Sequence, residues 1–311
     1  MGQVTDWTFE GTWPYEARWF ESSDGRMHYV DEGPRDGRPV VMVHGNPTWG
    51  YLYRNFIPAL VAAGHRAIVP DHLGFGRSEK PNDPELYRVP RHAARLEALL
   101  EALDLSSATV VPRDWGGPTG LYWATRHPER VDGLFILNTY AHGFRPEALP
   151  PGKDKVPLPL PLRLFRTPVI GEVLVKGLDA FKRGFLFGQG VVHRERLTAT
   201  VKRAYRDVHR GWSERTPILV FPREIPVAGE GPVVAMTSEI EEGMKQHFRS
   251  KPVQIVWAMK DVAFVPTYLD TLWLDTFPDA RVTRLDDAGH YLQEDAHEGI
   301  VPELVRFVDG L

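Results

Sequence analysis

Residues 109–117 read Thr-Val-Val-Pro-Arg-Asp-Trp-Gly-Gly, a β-branched run that turns at Asp114 and leaves on glycines. Strand, sharp turn and helix in that order outline a nucleophile elbow, in which one reactive side chain stands on a strained turn above a sheet. The reactive position holds a carboxylate rather than a hydroxyl. A hydroxyl must lose its proton before it attacks, whereas an aspartate with a reference pKa near 3.9 is already ionised at neutral pH. Such a group suits displacement at a saturated or strained carbon rather than acyl transfer, and it leaves an ester on the enzyme's own side chain. Water must then cleave that ester, which calls for a His–acid pair. Asp-Trp-Gly-Gly by itself also fits the Asp-capped start of an ordinary helix, so the reading depends on what the rest of the chain supplies.

The chain supplies His290, in the loop Asp287-Ala-Gly-His290 directly after the run Arg281-Val-Thr-Arg-Leu285. A histidine in a glycine-containing loop at a strand's C-terminal end is well placed to act as a general base. Three acids are candidates to orient it: Asp286 and Asp287 beside it, and Asp261, which closes Trp257-Ala-Met-Lys-Asp261. The end-of-strand position favours Asp261. The order Asp114, Asp261, His290 is then nucleophile, acid, base, as in α/β-hydrolases. Nearer the N-terminus, His44-Gly-Asn-Pro-Thr-Trp49 follows another strand signal. It is either a simple tight turn or a means of bringing a backbone N–H and the Asn46 amide over the same pocket floor. His44 itself reads as structural.

Positioning such groups requires a sheet. Val40–Val43, Ala67–Pro70, Thr109–Val111, Leu134–Leu137, Val253–Trp257 and Arg281–Leu285 are short apolar or β-branched runs. Between them lie helical signals at Tyr51–Ala63, Ala93–Leu103 and Pro118–Arg126. This alternation predicts an α/β fold with a mostly parallel sheet flanked by helices. It breaks between 141 and 228, where seven prolines fall between Pro146 and Pro168 and a helical stretch from Glu172 to Asp207 carries Phe181, Phe185 and Phe187. The segment closes on Phe221-Pro-Arg-Glu-Ile-Pro226. The expected organisation is a core of 1–140 and 229–311 with a helical cap, or lid, of 141–228. Ligands bind at the C-terminal edge of such sheets, and an aromatic lining suits an apolar substrate.

Composition narrows the function. The chain has 311 residues, 42% hydrophobic and 25% charged, ordinary values for a globular protein. A net charge of −4 argues against nucleic acid or an anionic membrane as partner. No apolar run approaches the ~20 residues of a membrane span, and the N-terminal residues show no basic and apolar signal-peptide pattern. Zero cysteines exclude disulfides, thiol catalysis and thiolate metal sites. The expected setting is cytoplasmic, as a monomer or homo-oligomer, without metal or cofactor. The segment from Asp71 with Gly74 and Gly76 lacks the Gly-Lys-Ser/Thr ending of a phosphate loop and carries Glu79 instead, so it reads as a structural loop.

Five segments together resemble the haloalkane dehalogenases over nearly the whole chain. They are His44-Gly-Asn-Pro-Thr-Trp-Gly-Tyr-Leu-Tyr-Arg54, Pro70-Asp-His-Leu-Gly-Phe-Gly-Arg-Ser78, Asp114-Trp-Gly-Gly117, Phe221–Pro226 and Asp287–His290. The resemblance implies a catalytic set of Asp114, His290 and Asp261, with Asn46 and Trp115 holding a halide ion through side-chain N–H groups. It implies a small apolar halogenated substrate turned to alcohol, halide and proton. Relatives of another subgroup keep their acid after the next strand, where this chain has Leu137-Asn138-Thr139, so the subgroup resembled is the one that uses Asp261. Two departures stand out: Pro112 at the end of a central strand, and Arg113 where Gln or His is expected. Alternatives are an epoxide hydrolase, which needs two lid tyrosines where 141–228 has only Tyr205, and a non-catalytic or luciferase-like relative. A fluoroacetate-type enzyme would carry Arg in the place of Trp115.

Overall fold

The computed structural model describes Val4, residues 6–145 and residues 155–311. One sheet of eight strands runs through it: β1 Arg18–Ser22, β2 Gly25–Glu32, β3 Pro39–Val43, β4 Arg66–Pro70, β5 Ala108–Pro112, β6 Val131–Leu137, β7 Val253–Ala258 and β8 Arg281–Leu285. Their spatial order is β1-β2-β4-β3-β5-β6-β7-β8. β2 is antiparallel to both β1 and β4, and every other pairing is parallel. Parallel strands covered on both faces must be apolar along their whole length, and β3, β4 and β5 are buried at every residue. The edge strand β8 has no fully buried residue. All six expected strands are present, extended by one to three residues or unchanged.

The sequence reading omitted the β1–β2 hairpin. Its turn is set by Gly25 at φ 138°, a value that suits glycine, but β2 buries His28 and Asp31 among its apolar residues and so lacks an apolar run. His28 is buried because its Nδ1 lies 2.8 Å from Asp71 Oδ2, which ties β2 to the loop after β4.

The helices depart from expectation mainly where proline or glycine intervenes. The amphipathic stretch 51–63 divides into a 3-10 turn, Gly50–Tyr53, and α1, Ile57–Ala62. α2 spans Val89–Ala102 and starts four residues early because Pro90 sits in its first turn, where a missing N–H is harmless. α3 spans Gly116–Arg126. Beyond 155 come α4 Leu160–Arg166, wide turns at Glu172–Gly177 and Phe181–Gln189, α5 Ala199–Arg206 and α6 Thr216–Glu224. The expected continuous helix from Glu172 to Asp207 is therefore broken, at Asp179 with its φ of 55° and again before Arg194. Pro146, Pro150 and Pro151 of the proline run lie outside the described residues. Phe165, Val175, Phe181 and Leu186 belong to the same continuous apolar core as the sheet, so this helical segment packs against that core. α7, Pro232–His247, and the C-terminal helix Leu292–Asp309 complete the layers.

Candidate active site

β5 delivers Asp114 at φ 52°, the left-handed region that a side chain other than glycine's occupies only under constraint. The surroundings impose that constraint. The Asp114 N–H donates to the Asn138 carbonyl at 2.9 Å, and the Thr139 hydroxyl donates to the Asp114 carbonyl. A Cβ on Gly45 would overlap the Asp114 carboxylate, one on Gly116 the Val43 carbonyl, and one on Gly117 the Thr139 hydroxyl. Those glycines let three chain segments close around a single side chain. Pro112, at the last position of β5, opposes Val43 without interrupting the ladder.

The two oxygens of Asp114 have different neighbours. Oδ1 accepts the Asn46 backbone N–H at 2.6 Å, and Oδ2 lies 3.6 Å from His290 Nε2. His290 Nδ1 is 3.1 and 3.0 Å from the two oxygens of Asp261. With Nδ1 bonded to a carboxylate, the proton belongs on Nδ1 and the Nε2 lone pair faces Asp114, the tautomer a general base needs. Asp261 is held in turn by the Ala263 and Phe264 N–H groups on Oδ1 and by Asn138 Nδ2 at 3.0 Å on Oδ2. Asn138 is itself fixed by the Ala258 N–H, 2.7 Å from its Oδ1. Of the three acids weighed for this place, Asp261 is the one that reaches the histidine. Asp287 is exposed and pairs with Lys260, and Asp286 is exposed.

Asn46, whose backbone N–H meets Asp114 Oδ1, and Trp115, the residue after Asp114, are the expected halide holders. The Asn46 amide donates one N–H to the Ile218 carbonyl of α6 at 3.2 Å and carries a second. Trp115 is half-buried and stacks on Phe221 with ring centres 5.1 Å apart. Of the phenylalanine trio, Phe185 lies 4.8 Å from the His290 ring, and Phe181 packs between Phe165 and Phe185. Phe264 covers another side of His290 at 5.5 Å. Tyr205 does not face this group: it is buried and donates to Glu294 at 2.5 Å. His44 donates from Nδ1 to the Gly45 carbonyl, accepts the His72 N–H, and is kept below the ordinary histidine range by burial, in keeping with a structural part.

Two residues behind the site were not singled out from the sequence. Asp295 accepts the N–H groups of Val192, His193 and Gly289 at 2.8–3.1 Å, joining the helical segment to the loop of His290. Glu294 forms a two-pronged pair with Arg54 at 2.6 Å and receives Tyr205. Only their position, one turn after His290, marks them in the sequence. Although no metal-ligand spacing is evident in the sequence, Glu97, Glu101 and His127 come close enough to share an ion. Glu97 there already pairs with Arg126 and His127. No helix among the described residues is long and apolar enough to cross a membrane.

The family model described as the alpha/beta hydrolase fold matches residues 38–297. A cis-3-alkyl-4-alkyloxetan-2-one decarboxylase of Shewanella oneidensis is 35% identical, over 95% of this chain and 89% of that protein. Haloalkane dehalogenase 2 of Mycobacterium tuberculosis is 33% identical, over 94% of this chain and 95% of its own length. Among solved structures, the haloalkane dehalogenase DbeA of Bradyrhizobium elkanii superposes with a TM-score of 0.84 at 28% identity, covering 95% of this chain and 98% of that one. The chain thus belongs to the α/β-hydrolase fold family and, within it, to the group that contains the haloalkane dehalogenases.

Proposed function

We propose that the protein is a hydrolytic haloalkane dehalogenase acting through an ester on Asp114, with residues 141–228 as the cap over an apolar site. The observation that carries this reading is the asymmetric carboxylate, with Oδ1 bound by the Asn46 N–H and Oδ2 turned toward His290. Asp114 Oδ2 attacks the halogen-bearing carbon, and the carbon–halogen electron pair leaves with the halide. The side-chain N–H groups of Asn46 and Trp115 meet the charge as it develops. His290, oriented by Asp261, then takes a proton from water, and the hydroxide adds to the Asp114 carbonyl carbon. Negative charge gathers on Oδ1, faced by the Asn46 N–H and, in this reading, by the Trp115 N–H. Collapse expels the alcohol and restores the carboxylate with loss of a proton. The epoxide hydrolase alternative finds no support, because opening an epoxide needs acidic donors in the pocket and Tyr205 is committed to Glu294.

A second reading is favoured by the 35% identity to the oxetan-2-one decarboxylase. Asp114 opening a four-membered lactone at its saturated C–O carbon would expel the ring carboxylate. Inversion leaves that carboxylate anti to the new ester bond. Loss of carbon dioxide then forms the alkene and expels Asp114, with no water and no base. One experiment separates the two: bromide release from a panel of bromoalkanes, beside alkene and carbon dioxide release from cis-3,4-dialkyl-oxetan-2-ones. Bromide release, with an alkyl adduct accumulating on His290→Phe protein, is the expected outcome. Alkene formation without bromide release would replace the first reading by the second.

A further inference from the structure

Arg113 is the departure in the elbow that the reading above leaves unused. Its side chain is completely buried. Nη2 donates to the His290 carbonyl at 2.6 Å, and the guanidinium lies 4.4 Å from the centre of the Tyr291 ring. Nη1 stands 3.9 Å from Asp114 Oδ1, and neither Nη1 nor Nε has a hydrogen-bond partner among the described residues. The cation is therefore fixed by the loop of the base and aimed at one particular oxygen of the nucleophile. That oxygen changes charge through the cycle. It shares the negative charge of the free carboxylate, becomes a neutral carbonyl oxygen in the ester, and carries the full charge of the tetrahedral intermediate.

We propose that Arg113 is a positioning residue that biases Asp114 against its ester, slowing alkylation and speeding hydrolysis. The inference rests on the covalent route proposed above. A buried cation loses its counter-charge when Asp114 is alkylated. It therefore stabilises the free carboxylate and the oxyanion more than the ester between them, and only such differences alter rates. No bond to Arg113 forms or breaks and its proton stays in place. The effect is to keep the ester scarce during turnover. The same bias acts in any route that ends by expelling Asp114 as a carboxylate.

The test measures alkylation and hydrolysis separately, by rapid-quench halide release and by intact mass during turnover of a bromoalkane. Arg113→Met should keep or raise the alkylation rate and lower the hydrolysis rate at least about tenfold, equivalent to about 1.4 kcal/mol, so that ester accumulates. Arg113→Lys, which retains a charge, should move both rates back toward those of the unaltered protein. Should the Met variant fail to fold, Arg113→Gln, which keeps a donor for the His290 carbonyl, answers the same question. Unchanged partition in a folded neutral variant, or equal slowing of both steps in the Lys and neutral variants, would overturn the proposal. His290→Phe is the separate control: no adduct there means the covalent route has failed, whereas an adduct with unchanged partition in Arg113→Met defeats the role of Arg113 alone.

Discussion

In the mechanism proposed above Asp114 serves first as nucleophile and then as the carbonyl of an ester, and its two oxygens have different neighbours for those parts, Asn46 N–H and His290. Trp115→Phe keeps a ring for the stack on Phe221 and removes one N–H donor. A hydrogen bond to a charged group contributes about 1.5–3 kcal/mol, so halide formation should slow by about tenfold to a hundredfold or more. Rapid-quench bromide release checks this, and an unchanged rate would make Trp115 a packing residue only. Asp114→Ala, folded, should release no bromide above background. Asp261→Asn should slow ester hydrolysis more than ester formation, since in the proposed mechanism Asp261 acts only through His290, which it contacts at 3.0 Å. Asn138 Nδ2 lies 3.0 Å from Asp261 Oδ2, so Asn138→Asp in the Asp261→Asn background places a carboxylate at the neighbouring position. Rescue should be partial, because the new carboxylate would face the Ala258 carbonyl that Asn138 Nδ2 now contacts at 3.2 Å. Full turnover in Asp261→Asn alone would remove Asp261 from the mechanism. The grouping of Asp114, His290 and Asp261 was legible because each follows a strand end. The partner of Arg113 was not, because the His290 carbonyl comes from a distant loop that no local pattern links to it.

At the scale of elements, strands buried along their whole length were the easiest to read, and elements stabilised by polar pairing were the hardest. β2 is held by His28 on Asp71 and by Asp31 on Arg66, contacts between segments far apart in sequence, so its residues lack apolar periodicity. The turns between Glu172 and Gln189 kept their expected helical character but not their continuity, because Asp179, at φ 55°, interrupts the ladder. The joint between that segment and the base loop rests on Asp295, buried and accepting three backbone N–H groups. Asp295→Ala would leave those donors unpaired, and each orphaned buried group costs about 1–3 kcal/mol. The expected result is destabilisation by at least about 3 kcal/mol in denaturant titration, with His290-dependent ester hydrolysis slowed more than alkylation. A loss below about 1 kcal/mol with both steps unchanged would show that Val192, His193 and Gly289 find other partners.

Buried histidines are spread through the molecule. Burial pushes His44, His72, His92 and His209 below the ordinary histidine range, the last three well below it, and pushes His142 down to about 3. In the unfolded chain each takes up a proton near pH 6.5. The unfolded state then binds more protons than the folded state, and stability falls as pH falls. Each such histidine contributes fully above pH 6.5 and loses that contribution as pH drops from 6.5 toward its folded value, about 3 for His142. Carboxylates extend the same trend to lower pH. Against the upward push of burial, Lys245, the Gly143 N–H and Arg145 hold Glu241 down to about 2, so its contribution is present above the ordinary glutamate range and lost between there and about 2. While a single histidine titrates in the unfolded chain only, stability falls by about 1.4 kcal/mol per pH unit. Five acting together should make the melting temperature level between pH 8 and 7 and steeply lower between pH 6 and 5. Calorimetric scans across that range check the expectation, with net proton uptake on unfolding at pH 5.5 as the second readout. A melting temperature that stays flat from pH 8 to 5 would mean that these histidines take up protons in the folded state without strain, and that the packing around them is looser than the hydrogen bonds of His44 and His209 require.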